Sequence, residues 1–157
     1  MRALHGDDIV LWSERQASLL RRMAAGGRDQ IDWENVADEI EALGRRDRRE
    51  LRSRIRTILT HLIKLQLSPA MATPRSGWQE TVIEQRAELR AVLNDSPSLE
   101  ATLRDVIDNE LPAARELATA IAAHHEQPRG DPAELSFTED QVRGRWLPNG
   151  PLPRGGR

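Results

Sequence analysis

Apolar residues recur along most of this chain at three- and four-residue steps, the spacing of an amphipathic helix, and nowhere show the alternation of a strand. The first run is Ile9, Trp12, Leu19, Leu20 and Met23, with Asp7 or Asp8 as its cap and Gly26 and Gly27 as its stop. A second opens after another cap candidate, Asp32, and carries Trp33, Val36, Ile40 and Leu43; a third holds Leu51, Ile55, Ile58, Leu62 and Leu65. Leu43, Asp47, Leu51 and Ile55 are successive steps of four, so the second and third runs share one register. They predict a helix of about 33 residues, continuous or bent at Gly44, which falls on the inner face where a missing side chain permits close helix approach. The alternative is a C-terminal cap at Gly44 and a new helix from Arg46 onward.

The two prolines of "LSPAMATPRSG" end this element near Ser68. Ser76 and Gln79 have capping-box spacing and predict a helix of about 18 residues bearing Trp78, Val82, Leu89 and Leu93. Ser96 and Pro97 predict the start of another, through Leu99, Leu103, Val106, Leu111, Leu117 and Ile121. Pro112 lacks a backbone donor and should bend or divide that helix near Asp108 or Asn109. Beyond Gln127 proline and glycine dominate, apart from a short helical turn at "TEDQVR" capped by Thr138. Leu135, Phe137, Val142 and Trp146 predict a tail lying across the domain. The expected fold is all-α: a single-domain, mainly antiparallel bundle of about four main helices over residues 1–147, with an extended C-terminal tail carrying a short helix. The Pro/Gly-rich end, 148–157, should fray.

Composition narrows the chemistry. A chain of 157 residues can bury about two-thirds of its extended surface, so no staple is needed for a core. The cysteine count of 0 removes disulfides, thiolate zinc sites and cysteine nucleophiles. No apolar leader follows the N-terminus and no run approaches the roughly 18 apolar residues of a span, which predicts a cytoplasmic protein without a membrane contact. A net charge of -2 exerts no overall pull on a polyanion, and Lys64 is the single lysine beside abundant arginine.

Five stretches carry a resemblance: "DIVLWSERQASLLRR", "IDWENVADEIEALG", "LTHLIKLQLSP", "SGWQETVIEQR" and "NDSPSLE". In that order, over roughly residues 7 to 147, they resemble the bacterial domain-of-unknown-function family number twenty-nine. Members commonly show Glu-Glu-Ile-Glu, matched by Asp38, Glu39, Ile40 and Glu41, and His-Leu-Leu-Lys, matched by His61, Leu62, Ile63 and Lys64. Trp78, Gln85 and Arg86 also correspond. The resemblance implies an all-helical fold and no assigned activity. This chain departs after Gly44, where the family often has a serine able to cap a new helix and this one has Arg46, which favours continuity.

"EALGRRDRRELRSRIRTI" holds seven arginines. On one helix Arg45, Arg49, Arg52 and Arg56 form a stripe facing away from the core, and its backward extension is Glu41, Asp38 and Glu34. The acidic-then-basic order suits the helix macrodipole, and Glu41 with Arg45 is a favourable pair. One reading is a solvated face. A second is self-association, two copies pairing antiparallel about a two-fold axis near Gly44. A third is nucleic-acid binding, disfavoured by Asp47 and Glu50 within the run, by the lack of interleaved aromatics and by an acidic stripe at Glu80, Glu84 and Glu88.

Each main helix also places a polar residue in phase with its apolar stripe: Gln16, Asp47, Gln85 and Glu110. A flanking line runs through Glu39, Glu50, Arg54, Thr57, His61 and Lys64. Buried carboxylates require partners, so a pocket gathering Glu39, His61, Gln85 and Glu110 would be a candidate acid–base or ligand site. The plainer reading is wet margins and mutual satisfaction. No histidine lies in a Glu-x-x-His step, and "AAGGRD" lacks the lysine and strand of a phosphate loop, so no metal or cofactor is expected. The sequence assigns no molecular function; it favours a non-catalytic association module, homo-oligomeric or with a protein partner, over a small-ligand or enzyme site.

Overall fold

The computed structural model describes residues 4–26, 31–68, 74–124 and 130–149. Among them there is no strand. The helices are α1 (Ile9–Ala25), α2 (Trp33–Leu67), α3 (Arg75–Asp95), α4 (Leu103–Ala122) and α5 (Glu139–Arg143), with 3-10 turns at Leu4–Gly6, Pro97–Thr102 and Pro132–Glu134. Gly27, His125 and residues 150–157, which enter the sequence expectations, lie outside the described residues.

Helix boundaries follow side-chain chemistry. Asp8 caps α1, its Oδ1 accepting from the Leu11 amide at 2.8 Å, and Gly26 ends it. Asp32 accepts from the Asn35 amide at 3.3 Å at the start of α2. α2 then runs for 35 residues through Gly44 without interruption. Gly44 serves contact rather than termination: a Cβ there would stand 2.6 Å from the Ser13 hydroxyl and 3.4 Å from Val10 Cα.

Two starts differ from expectation. α3 opens at Arg75, with Ser76 already inside it. The buried Arg75 guanidinium donates to the carbonyls of Leu65 (2.8 Å), Ser68 (3.4 Å) and Pro148, closing the last turn of α2 and holding the tail. Pro97 begins a 3-10 segment instead of an α-helix, and the Ser96 hydroxyl donates to Asp47 at 2.8 Å. α4 therefore starts at Leu103. It continues past Pro112, whose exposed ring sits on the outer side of the helix.

The expected domain contains two compact units. The first comprises the described residues through Leu51 together with Ala91–Thr102. There α1 and α2 are antiparallel, Ser13 meeting Gly44 while Arg21 reaches Asp38 and Glu41. Small residues line the crossing: Val10, Ser13 and Ala17 on α1, Ala37 and Gly44 on α2, all buried. The backbones approach too closely to admit large side chains between them, so the larger residues of the expected α1 stripe are displaced. Leu19 is 43% and Met23 55% exposed. Leu51, Val92, Leu93 and Leu99 complete this unit's core.

The second unit comprises Arg52–Arg90 and the described residues from Leu103 onward. Its core is broad: Ile55, Ile58, Leu59, Leu62, Ile63 and Leu65 of α2, Val82 and Leu89 of α3, and Leu103, Ile107 and Leu111 of α4, joined by Phe137 and Val142 of the tail. The tail lies across this core as the sequence predicts. α5 has the expected Thr138 cap, closed into a capping box by Gln141. Besides Arg75, three arginines fasten the extended backbone. Arg86 donates to the carbonyls of Val142 (2.9 Å), Gln141 (2.6 Å) and Trp146 (2.7 Å), Arg104 to Phe137 (3.1 Å), and Arg115 to Leu135.

Candidate functional site

The acidic half of the α2 stripe is met within the first unit. Arg21 of α1 lies 2.7 Å from Asp38, 2.8 Å from Glu41 and 3.8 Å from Glu34, and Arg45 reaches Glu41 at 3.3 Å. Its hydrogen bonds to Glu41 and Asp38 raise the Arg21 pKa, and the bond Glu41 accepts from Arg21 lowers that of Glu41. Arg48 of α2 and Glu14 of α1 pair on the same flank. The basic half is met within the second unit, where Arg52 (3.1 Å) and Arg56 (2.7 Å) clamp the buried Glu110 of α4. Arg49 is exposed. Most of the stripe's charge is thus neutralised inside the chain, so it is not a free polar face.

His61, Gln85 and Glu110 take separate partners, and no hydrogen bond joins any two of the four polar candidates. Glu39 is exposed in the first unit. His61 sits on α2 with Nδ1 2.9 Å from the Thr57 carbonyl, and burial pushes its pKa down. Gln85 accepts from Arg54 at 3.1 Å, and Glu110 is held by its two arginines. Lys64, near His61, places Nζ 4.3 Å from the Trp78 ring centroid, and burial lowers its pKa. These are local satisfactions of polar groups, each explicable by the need to compensate burial. Among the described residues no group of three or more His, Cys, Asp or Glu could hold a metal ion, and no helix is long and apolar enough to cross a membrane.

Arg86 was not among the sequence candidates, although a signal exists. Val82, Arg86, Leu89 and Leu93 step by four, three and four, which places an arginine on the core line of α3. Burial lowers its pKa, with a smaller contribution from Arg90. With Ile83, Arg90, Gly144, Arg145 and Leu147 it lines a cleft of about 350 Å³. Its three bonds to tail carbonyls make it a structural post of that cleft.

The surface feature with no internal explanation lies on the α1–α2 hairpin. Six of the nine exposed large hydrophobic side chains among the described residues are Leu11, Leu19, Met23, Ile31, Val36 and Leu43. Arg21 and Glu14 define one flank of the helix crossing, where they meet Asp38, Glu41 and Arg48. On helical geometry Leu20 and Met23 of α1, and Val36, Ile40 and Leu43 of α2, lie on the opposite flank. An apolar strip there borders both helices, with Gln16 the polar residue on its α1 side.

A crystal structure of an alpha-helical protein of unknown function from Rhodospirillum rubrum is similar to this chain at 24% identity and a TM-score of 0.75, covering 91% of this chain and 90% of that one. That likeness concerns the fold. No curated protein matches. The model of the family described as "Domain of unknown function DUF29" matches residues 4–146, nearly the whole of both units. The sequence resemblance and the helical fold therefore have a common source: the chain belongs to the DUF29 family.

Proposed function

We propose that this chain is a protein-association module of the cytoplasm, acting through contact rather than through chemistry of its own. One observation carries the reading: the α1–α2 hairpin leaves Leu19, Met23, Val36 and Leu43 between 38% and 55% exposed, although the second unit buries the large residues of α2 almost completely. Contiguous exposed apolar surface rimmed by charge is characteristic of interaction sites, because covering it removes area worth about 25 cal/mol per Å² from water. The charged stripe plays a supporting role, fixing the hairpin through Arg21 so that the apolar flank is presented rigidly. The scattered partners of His61, Gln85 and Glu110, and the exposure of Glu39, give the ligand-site alternative no comparable support.

Site-specific photo-crosslinking in living cells tests the reading. A photoreactive residue at Val36 is expected to give a covalent protein adduct, and one at Ile83, exposed on α3 of the second unit, is expected to give none. Absence of any adduct from Val36 would overturn the proposal.

A further inference from the structure

We infer that the occupant of this apolar flank is a second copy of the chain, paired so that α1 of each copy lies along α2 of the other. The inference rests on the association reading and adds the partner and its orientation.

The residues bordering the strip make the case. On a helix surface the neighbours of a residue lie three and four positions away. Leu19 of α1 has Arg15 four residues before it and Arg22 three after, and all three are exposed. Val36 of α2 has Asp32 four before and Glu39 three after, again all exposed. The α1 border is therefore basic, while the α2 border is acidic through Asp32 and Glu39 and ends on the exposed Arg46, three residues past Leu43.

Two hairpins can close face to face in two antiparallel ways. If α1 met α1, four arginines would gather along one seam with no carboxylate among them, while the other would hold four carboxylates and both copies of Arg46. If α1 meets α2, each seam sets Arg15 and Arg22 against the partner's Asp32 and the partner's Glu39. Like charges across an interface are strongly disfavoured, so the pattern selects the second arrangement. A two-fold axis generates that seam twice from one surface, which is the economy of an isologous interface. The product is a four-helix bundle, in which the strip becomes an interior and the small-residue crossing at Gly44 sets the spacing within each hairpin.

The test uses the full chain in solution. Sedimentation equilibrium should give about twice the 17.7 kDa chain mass. Met23→Glu, at an exposed position, should give a monomer with unchanged helical circular dichroism. Arg15→Glu/Arg22→Glu and, separately, Glu39→Arg should each weaken self-association by at least about tenfold. Mixing those two variant chains should restore a mixed dimer, because the swapped charges then face each other. Asp32 is left intact because it caps α2. A wild-type chain that stays monomeric across the concentration range overturns the second-copy inference, as does an in-cell adduct at Val36 to a different protein, while that adduct leaves the association reading standing. A wild-type dimer untouched by Met23→Glu overturns the placement, and charge variants that fail to complement overturn the orientation.

Discussion

The two units use the same long helix in opposite ways. Downstream of Leu51, α2 supplies seven large aliphatic residues, Leu67 the last of them, to a core that α3, α4 and the tail cover. Upstream, its buried residues are Ala37 and Gly44, set against Val10, Ser13 and Ala17. Wide stripes of Leu and Ile make a unit that satisfies itself. A seam of small residues instead brings two backbones close and excludes their large side chains to a flank. Close approach and a finished core are therefore different outcomes, and the unit that achieves only the first retains apolar area for use elsewhere.

The strongest way to break the contrast is within the second unit. Leu62→Ala, at a fully buried position, should cost about 2–5 kcal/mol in urea unfolding, because the packed surroundings collapse only partly around the cavity. Arg86→Met should follow at about 2–3 kcal/mol, since three tail carbonyls lose a charged donor; Arg86→Lys should recover little of it, as an ammonium cannot reproduce the planar fork. Limited proteolysis should then cut near Gly144 first.

Gly44→Ala sharpens the comparison from the other side. Helix propensity alone favours alanine by about 1 kcal/mol, so a net loss of about 1–2 kcal/mol would isolate the steric cost of the close crossing. The same substitution beside Ser13→Ala should cost less, because the nearest obstructing atom is gone.

Smaller still are two effects of pH. Burial would raise the Asp8 pKa, but the amides of Leu11 and Ser98 and the Ser98 hydroxyl together hold it below the ordinary value. Its contribution of about 1 kcal/mol is thus present above an unfolded-state pKa near 3.9 and lost as pH falls through the lower folded value. Asp8→Asn should abolish that acid-dependent component. His61 is shifted down by burial, so it is neutral when folded, and the unfolded chain takes up its proton first. Stability is complete above about pH 6.5 and declines below it, and His61→Gln should flatten that decline.

Much of this contrast was legible in the sequence, unevenly. The shared register of Leu43, Asp47, Leu51 and Ile55 correctly joined the two halves of α2, and the inward phase of Gly44 correctly predicted a close contact. Periodicity also marked Leu19 and Met23 as apolar-face residues, but it cannot tell a buried stripe from an uncovered one: that depends on whether another element arrives. Ser96 and Pro97 carried the signature of a helix start, yet Asp47 competes for the serine hydroxyl, and a 3-10 segment results. Ser76 and Gln79 misled by two residues because Arg75, a cation serving three carbonyls, leaves no local spacing to read. Glu110 was recognisable as a polar residue in phase with an apolar stripe; that its partners would be Arg52 and Arg56 required the fold.

Asp8 has one more consequence. Its carboxylate receives Leu11 from its own helix, and Ser98 from a segment that follows α3, through an amide at 2.6 Å and a hydroxyl at 3.1 Å. On a ribosome α1 emerges before α2 and α3, and the residue that completes its opening turn has not yet been made. Translation must pass the end of α3 before that corner can close. The start of α1 is therefore finished only after two later helices have been made, and until then the hairpin it forms with α2 meets the cell with one end unlatched.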